Sequence, residues 1–508
     1  CRINCRVLTA TMTERSGWEM NARTGKRHFP QSGTGDGMAT AKRLSGLDAS
    51  FLYSETPTVH MHTLKIAVCK PDPGTEQSDL FHGLRQVLSS RLHLLPAFRM
   101  RVLEVPYGLH HPVWVEDPNF DIEDHLRRRT VPSPGGALEL DHVIADIAGR
   151  PLRRDRPLWE IWLVDGMADG TVVCVAKIHH AVADGVASAE MMANVMGSMS
   201  REGDPPRAEG WAPGPLPGAP RMLVDAFRSR RRQFRHLPPL LAQTARGGLD
   251  VARYLRAGDT SLSHPFQTPS TVFNRKLVAA RRFARASLPL GRVKDIKTRL
   301  DVRLNDVVLA IVGGALRLFF KQRGELLDRA LVATVPMSVA TPRKTRRLIG
   351  NRLANLFTCL ADDIVDPIAR VRAIHTMTDD AKEVQRRLGM ETMLAWSEFM
   401  PPRTYQWLVR AYSASGITDR IRPPANLIVS NVRGPAQPLR LAGATLENIY
   451  SVGPILDGIG LNMTAWSYGE HLSLSALCDA ASVTDLHALV EMLPESLDEL
   501  ERAVARKI

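Results

Sequence analysis

The sequence predicts an α/β fold built in two halves that a long crossover joins. Three observations predict it. Strand-like and helix-like patterns alternate from Arg43 to about residue 200, a Pro/Gly-rich and then basic stretch interrupts them from Gly203 to Thr268, and a second alternating pattern begins at Ser270. At 508 residues, 44% hydrophobic and 23% charged, the chain is long enough for each half to bury its own core. The expected divisions are a disordered leader over 1–37, a first domain over 38–202, the crossover over 203–268 and a second domain over 269–508.

The leader lacks hydrophobic periodicity, holds no apolar run of secretory-signal length, and ends in a Gly/Ser/Thr/Asp cluster before Met38, the expected natural start. Next, "RLSGLDASFL" from Arg43 reads as a capped turn entering a short helix, and "HTLKIAVC" alternates like a strand. Asp79 to Leu92 has helical spacing, "FRMRVLEV" and "HPVWVE" read as a pair of strands around a Gly turn, and Leu138 to Ala148 is helical. "GTVVCVAKIHH" has the β-branched content of a buried strand, and "VASAEMMANVMG" has helical spacing. In the crossover, "GDPPRAEGWAPGPLPGAP" precedes a basic amphipathic run. The second half offers a strand at Lys276 to Ala284, helices at Leu290 to Thr298 and Asn305 to Arg323, and strands at Ala330 to Pro336, Ala425 to Asn431 and His471 to Cys478.

A formal charge of +13 suggests an acidic partner: nucleic acid, an anionic membrane surface or a phosphate-bearing substrate. Nucleic acid is the poorest fit, because no recognised module and no basic platform interleaved with aromatics is present. The longest apolar runs, such as Val307 to Leu316, fall short of the roughly 20 residues a membrane span needs. Cys69, Cys174, Cys359 and Cys478 sit in apolar or strand-like contexts, which points to free thiols in a reducing compartment. The expected location is therefore the cytoplasm. The run Arg228 to Arg235 fits either a solvated helix face or a peripheral contact with the inner membrane face or a lipid droplet.

The chemistry-bearing stretch is "KIHHAVADGV", Lys177 to Val186, which places His180 where a strand runs into a loop. Adjacent strand residues point to opposite faces, so His179 and His180 are poorly placed to share a metal ion, and no metal site is expected. Two satisfied core histidines with Asp184 as a turn residue is the bland alternative.

The spacing His-His-x-x-x-Asp-Gly resembles the signature of the CoA-dependent acyltransferase and condensation-domain superfamily, and the chain is similar in particular to the wax ester synthase/diacylglycerol acyltransferase family. The resemblance runs from Arg43 to about Leu493. It includes "LSGLDASFL", "PAFRMRV", Pro157-Leu158-Trp159-Glu160, Asn305-Asp306, "GNRLANL" and "VSNVRGP", where Arg433 stands at a position usually held by Pro. It implies two chloramphenicol acetyltransferase-like domains with the active site in a channel between them. It implies an acyl-CoA-dependent O-acyltransferase that makes triacylglycerol from diacylglycerol or wax ester from a long-chain alcohol. Acyl-CoA is then a substrate, and no cofactor is implied.

The resemblance implies His180 as proton acceptor, His179 as a supporting residue facing away, and Asp184 and Gly185 as structural. A neutral imidazole, with an unperturbed pKa near 6.5, suits the base. Asn305 fits a helix N-cap or an oxyanion donor, and Asp306 favours the positive helix end. Trp159 and Leu158 fit core packing or the lining of a lipid tunnel. Pro157, Glu160, Asp306, Ser430 and Asn431 complete the expected substrate-side set. The alternatives are an acyltransferase for a polyketide or glycolipid alcohol, and a weakly active lipid-binding paralogue.

Overall fold

In the computed structural model, the described residues are 41–198, 213–257, 268–325, 327–338, 349–435 and 437–506. The leader and the Pro/Gly-rich start of the crossover, 203–212, lie outside them. The strand Val172–His179 is buried along nearly its whole length. It pairs antiparallel with His62–Pro71 on one side and Trp159–Asp165 on the other. Its side chains sort by the period of two that a pleated strand imposes. Val173 and Val175 face the helix Ala137–Gly149, meeting its Leu140, Val143, Ile144 and Ile147. Cys174 and Ile178 face the opposite core, which includes Leu52 and Tyr53 of the helix Gly46–Tyr53.

Among the described residues these strands belong to a seven-stranded sheet. Its order is Leu126–Thr130, Trp159–Asp165, Val172–His179, His62–Pro71, Ala444–Val452, Leu439–Leu441 and Gly197–Ser198. The hairpin Leu439–Val452 comes from the far end of the chain, so the sheets do not follow a simple division of the sequence near residue 269. A six-stranded sheet runs Leu353–Cys359, Val332–Ser338, Leu427–Arg433, Leu461–Tyr468, His471–Asp479 and Arg281–Pro289. The helices Leu304–Gln322, Pro367–Leu388 and Leu486–Arg506 cover it around the largest hydrophobic cluster. Met100–Leu103 and Val113–Glu116 pair antiparallel as expected, with Lys42–Arg43 added at the edge.

Two expectations shift. The strand read at Lys276 to Ala284 starts at Arg281. Residues 276–278 give their N–H groups to aspartates instead: Lys276 to Asp419 at 2.9 Å, Leu277 to Asp457 at 2.9 Å and Val278 to Asp479 at 2.8 Å. A side-chain acceptor that satisfies the backbone removes the need for a ladder partner. The helix containing Asn305 begins at Leu304, and Arg303 is its N-cap, so Asn305 is a second-position helical residue and not the cap. Asp306 closes the turn by accepting the Arg303 N–H at 3.1 Å.

In the crossover, the helices Ala219–Arg235 and Leu237–Arg256 make up most of the described part. Cys69, Cys174, Cys359 and Cys478 are free thiols, and burial pushes the Cys174 and Cys478 pKa values up to about 12.

Candidate active site

His180 follows the last residue of the Val172–His179 strand, and its N–H donates to the Met61 carbonyl at 2.7 Å, which extends the ladder by one bond. The Phe51 ring stacks on the imidazole with centroids 4.2 Å apart and planes 20° apart. One ring nitrogen, Nδ1, lies 3.1 Å from Asn351 Oδ1. The residue is half-buried, with Nδ1 facing Asn351 and one ring face covered by Phe51, so Nε2 is the ring nitrogen turned away from that amide. Burial lowers the imidazole pKa to about 4; the Lys65 ammonium adds to this and the Asp184 carboxylate opposes it. His180 is therefore neutral at physiological pH, the state that accepts a proton.

A short segment from the other half of the chain grips this loop. Gly350 N–H donates to the Val182 carbonyl at 2.7 Å, and Ala183 and Gly350 form a parallel bridge. Asn351 N–H donates to Asp48 Oδ1 at 2.8 Å, and Arg352 N–H to Asp184 Oδ2 at 3.1 Å. Asp184 is also the N-cap of the helix Gly185–Val195, accepting the Ala187 N–H at 2.9 Å. Its carboxylate thus joins helix start and segment, a holding role with both oxygens used. Gly350 has φ +87°, and a Cβ there would lie 3.2 Å from Asp48 Oδ2, so the turn needs glycine on both counts.

The second half adds the other expected polar groups. A Cβ on Gly185 would stand 3.1 Å from Val432 Cγ2, so glycine lets the strand Leu427–Arg433 approach the helix start beside the His-His loop. On that strand, Asn431 Nδ2 donates to Asn305 Oδ1 at 3.4 Å, leaving the Asn305 amide hydrogens for another acceptor. Ser430 precedes it, in register with Thr464. Asp306 is fully buried and takes hydrogen bonds from Thr378 at 3.1 Å and from the His375 ring at 2.6 Å, so it anchors the helix Pro367–Leu388 and has no free face for a substrate.

His179 points the other way. Its Nδ1 accepts the Ala181 N–H at 3.0 Å and its Nε2 lies 3.2 Å from Glu55. Burial would raise the Glu55 pKa, but His179, Arg154 and the Met61 N–H together hold it well below the usual carboxylate range. Leu158 and Trp159 are each 1% exposed. Trp159 stacks between Phe98 and His125 and donates to the Phe98 carbonyl at 2.8 Å, which is core packing. The Leu158 carbonyl accepts the His179 N–H at 3.0 Å, so the Pro157–Glu160 stretch props the strand that carries the histidines. Glu160 accepts from the Trp162 indole at 3.2 Å. Among the described residues no group of three His, Cys, Asp or Glu side chains could hold a metal ion.

Sequence reasoning missed Asp48, Phe51, Glu55 and Asn351. Asp48, Phe51 and Asn351 lie in stretches that carried the resemblance, but nothing in those stretches says that they meet: Asp48 and Asn351 are 303 positions apart.

Residues 44–308 match the wax ester synthase/diacylglycerol acyltransferase catalytic domain, and residues 349–501 match the C-terminal domain of the same family. A Mycobacterium tuberculosis protein, named provisionally as a diacylglycerol O-acyltransferase, is 38% identical over 468 residues, covering 92% of this chain and 97% of its own length. The solved wax ester synthase/diacylglycerol acyltransferase of Marinobacter aquaeolei is 25% identical, with a TM-score of 0.64 over 91% of this chain and all of that one. The first condensation domain of the calcium-dependent antibiotic synthetase shares the fold, with a TM-score of 0.55 at 15% identity over 92% of this chain and 97% of that one.

Proposed function

Because this chain belongs to the wax ester synthase/diacylglycerol acyltransferase family, we propose that it moves a fatty acyl group from CoA onto the hydroxyl of a diacylglycerol or a long-chain alcohol, with His180 as general base. The observation that carries the reading is the neutral, half-buried His180 at a strand end, braced by contacts from both halves of the chain. His180 Nε2 takes the hydroxyl proton as the alcohol oxygen attacks the thioester carbonyl carbon. The C–S bond then breaks, and the imidazolium returns the proton to the departing CoA thiolate. Electrons and protons balance without an enzyme nucleophile and without a cofactor.

General-base action supplies about 10²- to 10⁴-fold, and holding two substrates in line supplies much of the rest. The Asn305 amide serves the negative charge that builds on the carbonyl oxygen. Asp184 holds the loop and takes no part in proton transfer.

The test uses purified protein with palmitoyl-CoA and either dioleoylglycerol or hexadecanol, the ester being separated by thin-layer chromatography. Triacylglycerol or wax ester is expected from the native chain, and essentially none from a folded His180→Ala variant. Normal turnover by that variant would end the reading. Transfer only to a polyketide or glycolipid alcohol would keep the chemistry and move the acceptor.

The partner surface of the same reading is an anionic lipid layer. On the helix Ala219–Arg235, Phe227 and Phe234 are 73% and 61% exposed and stand seven residues apart, hence on one flank, with Arg228, Arg231, Arg232 and Arg235 also exposed. Arg230 turns inward to the Leu109 and Glu398 carbonyls. Replacing Arg231, Arg232 and Arg235 with Gln should reduce sedimentation with phosphatidylglycerol vesicles, and salt should mimic the change. Unchanged sedimentation would assign these arginines to a solvated face. Among the described residues, no helix is long and apolar enough to cross a membrane.

A further inference from the structure

We propose that Asn351, held by Asp48, is a positioning residue that fixes His180 as the Nδ1–H tautomer, so that Nε2 carries the lone pair. The inference rests on the reading of His180 as the base and names what makes it one. The amide of Asn351 can stand only one way round. Its Nδ2 lies 2.7 Å from Asp48 Oδ1 and 2.7 Å from the His180 carbonyl oxygen, two atoms that only accept. Turned over, the amide would press its oxygen against a carboxylate and a carbonyl. The Nδ2 hydrogens are therefore directed at those two atoms, and Oδ1 faces His180 Nδ1 at 3.1 Å. An acceptor at that place calls for a proton on Nδ1, and a neutral imidazole with its proton there has its lone pair on Nε2.

The acid behind the amide is itself fixed. Asp48 Oδ1 also receives the Asn351 N–H at 2.8 Å, and Oδ2 receives the Ser45 hydroxyl at 2.7 Å. Asp48 and Asn351 are both buried, which makes an unpaired or reversed group costly. The short helix Gly46–Tyr53 thus brings two controls to one ring: Phe51 sets its plane and Asp48 sets, through Asn351, where its proton sits. The His180 ring also interacts with its own backbone carbonyl, a second acceptor beside Asn351.

The experiment is nitrogen-15 NMR of the full chain labelled at histidine, at a pH near 8, with the His180 signals assigned by their loss in His180→Gln. The native protein should show His180 as Nδ1–H. In Asn351→Ala the Nε2–H form should become substantial, while kcat falls on the order of 10²-fold and KM for both substrates stays within about threefold. An Nε2–H signal in the native protein would overturn the inference, and needs no folded variant at Asn351. Retention of a pure Nδ1–H form in folded Asn351→Ala would also overturn it, assigning the tautomer to the His180 carbonyl. The spectrum is read without turnover, so it stands apart from the test of His180 as base: an active His180→Ala would end that reading and leave the tautomer result in place.

Discussion

At residue scale the proposed chemistry rests on two nitrogen-bearing side chains with separate tests. Asn305 sits one position inside its helix, with Arg303 as the cap, so removing its amide does not remove a cap. Asn305→Ala should therefore melt close to the native protein yet lose roughly 10²- to 10³-fold in turnover if the amide serves the oxyanion. Asn305→Asp should lose at least as much, because an ionised carboxylate cannot donate. Near-normal rates in both would pass the role to backbone N–H groups. For His180, a pKa lowered to about 4 keeps the base form present well below neutrality. The expected kcat/KM profile stays flat from pH 8 down to about pH 5.5 in measurements made within seconds of mixing. A fall centred near 6.5 would mean that the ring is solvated like a free imidazole. His180, Asp184 and Gly185 could be singled out because they fall within six positions, in a spacing that resembles a family signature. Asp48 and Asn351 could not, because a hydrogen bond between an acid and an amide leaves no mark on either local sequence.

Single turns decide most at the scale of elements. Gly350→Ala forces a side chain onto φ +87° and into Asp48, so it should cost about 1–2 kcal/mol or more and loosen the segment that holds Asn351. Thermal unfolding should show the loss of stability, and turnover should fall with it. Asp184→Asn keeps the shape but removes one of two acceptors, for the Ala187 and Arg352 N–H groups. It should lower stability by about 1–3 kcal/mol together with activity. Abolished turnover at an unchanged melting temperature would instead give Asp184 a direct chemical role. Most expected elements were legible from periodicity: the strands at His62–Pro71, Val172–His179 and His471–Asp479, and the helices at Ala137–Gly149 and Leu290–Leu300, fall within a few residues of their reading. The strand beginning at Arg281 was misplaced because distant aspartates claim the N–H groups before it. Trp159 fitted core or tunnel equally in sequence, since only its stacking on Phe98 and His125 separates the two.

The whole molecule carries a store of neutral histidine that acid will draw on. Burial lowers His60 and His111 to about 4 and His62 well below its usual value, and those three rings are nearly inaccessible. Below pH 6.5 the unfolded chain binds protons that these folded rings refuse, so stability is lost as pH falls from 6.5 towards 4. Each such group contributes about 1.4 kcal/mol per pH unit, so the three together remove on the order of 8 kcal/mol over two units, comparable with the roughly 5–15 kcal/mol of a typical domain. The melting temperature should therefore drop steeply between pH 6.5 and 5, while fast-mixing rates at His180 hold; a flat melting curve over that range would contradict the burial.

A different consequence follows from the hairpin Leu439–Val452 lying inside the sheet whose other long strands are made first. During synthesis the edge of His62–Pro71 waits, unpaired, until Val452 has left the ribosome, about 380 residues later. Exposed edges invite pairing with other chains, so the order of synthesis predicts a window in which the partly made chain is prone to aggregate. A fragment ending in the crossover, 41–257, should precipitate when made alone and turn soluble when residues 268–506 are co-expressed as a separate chain.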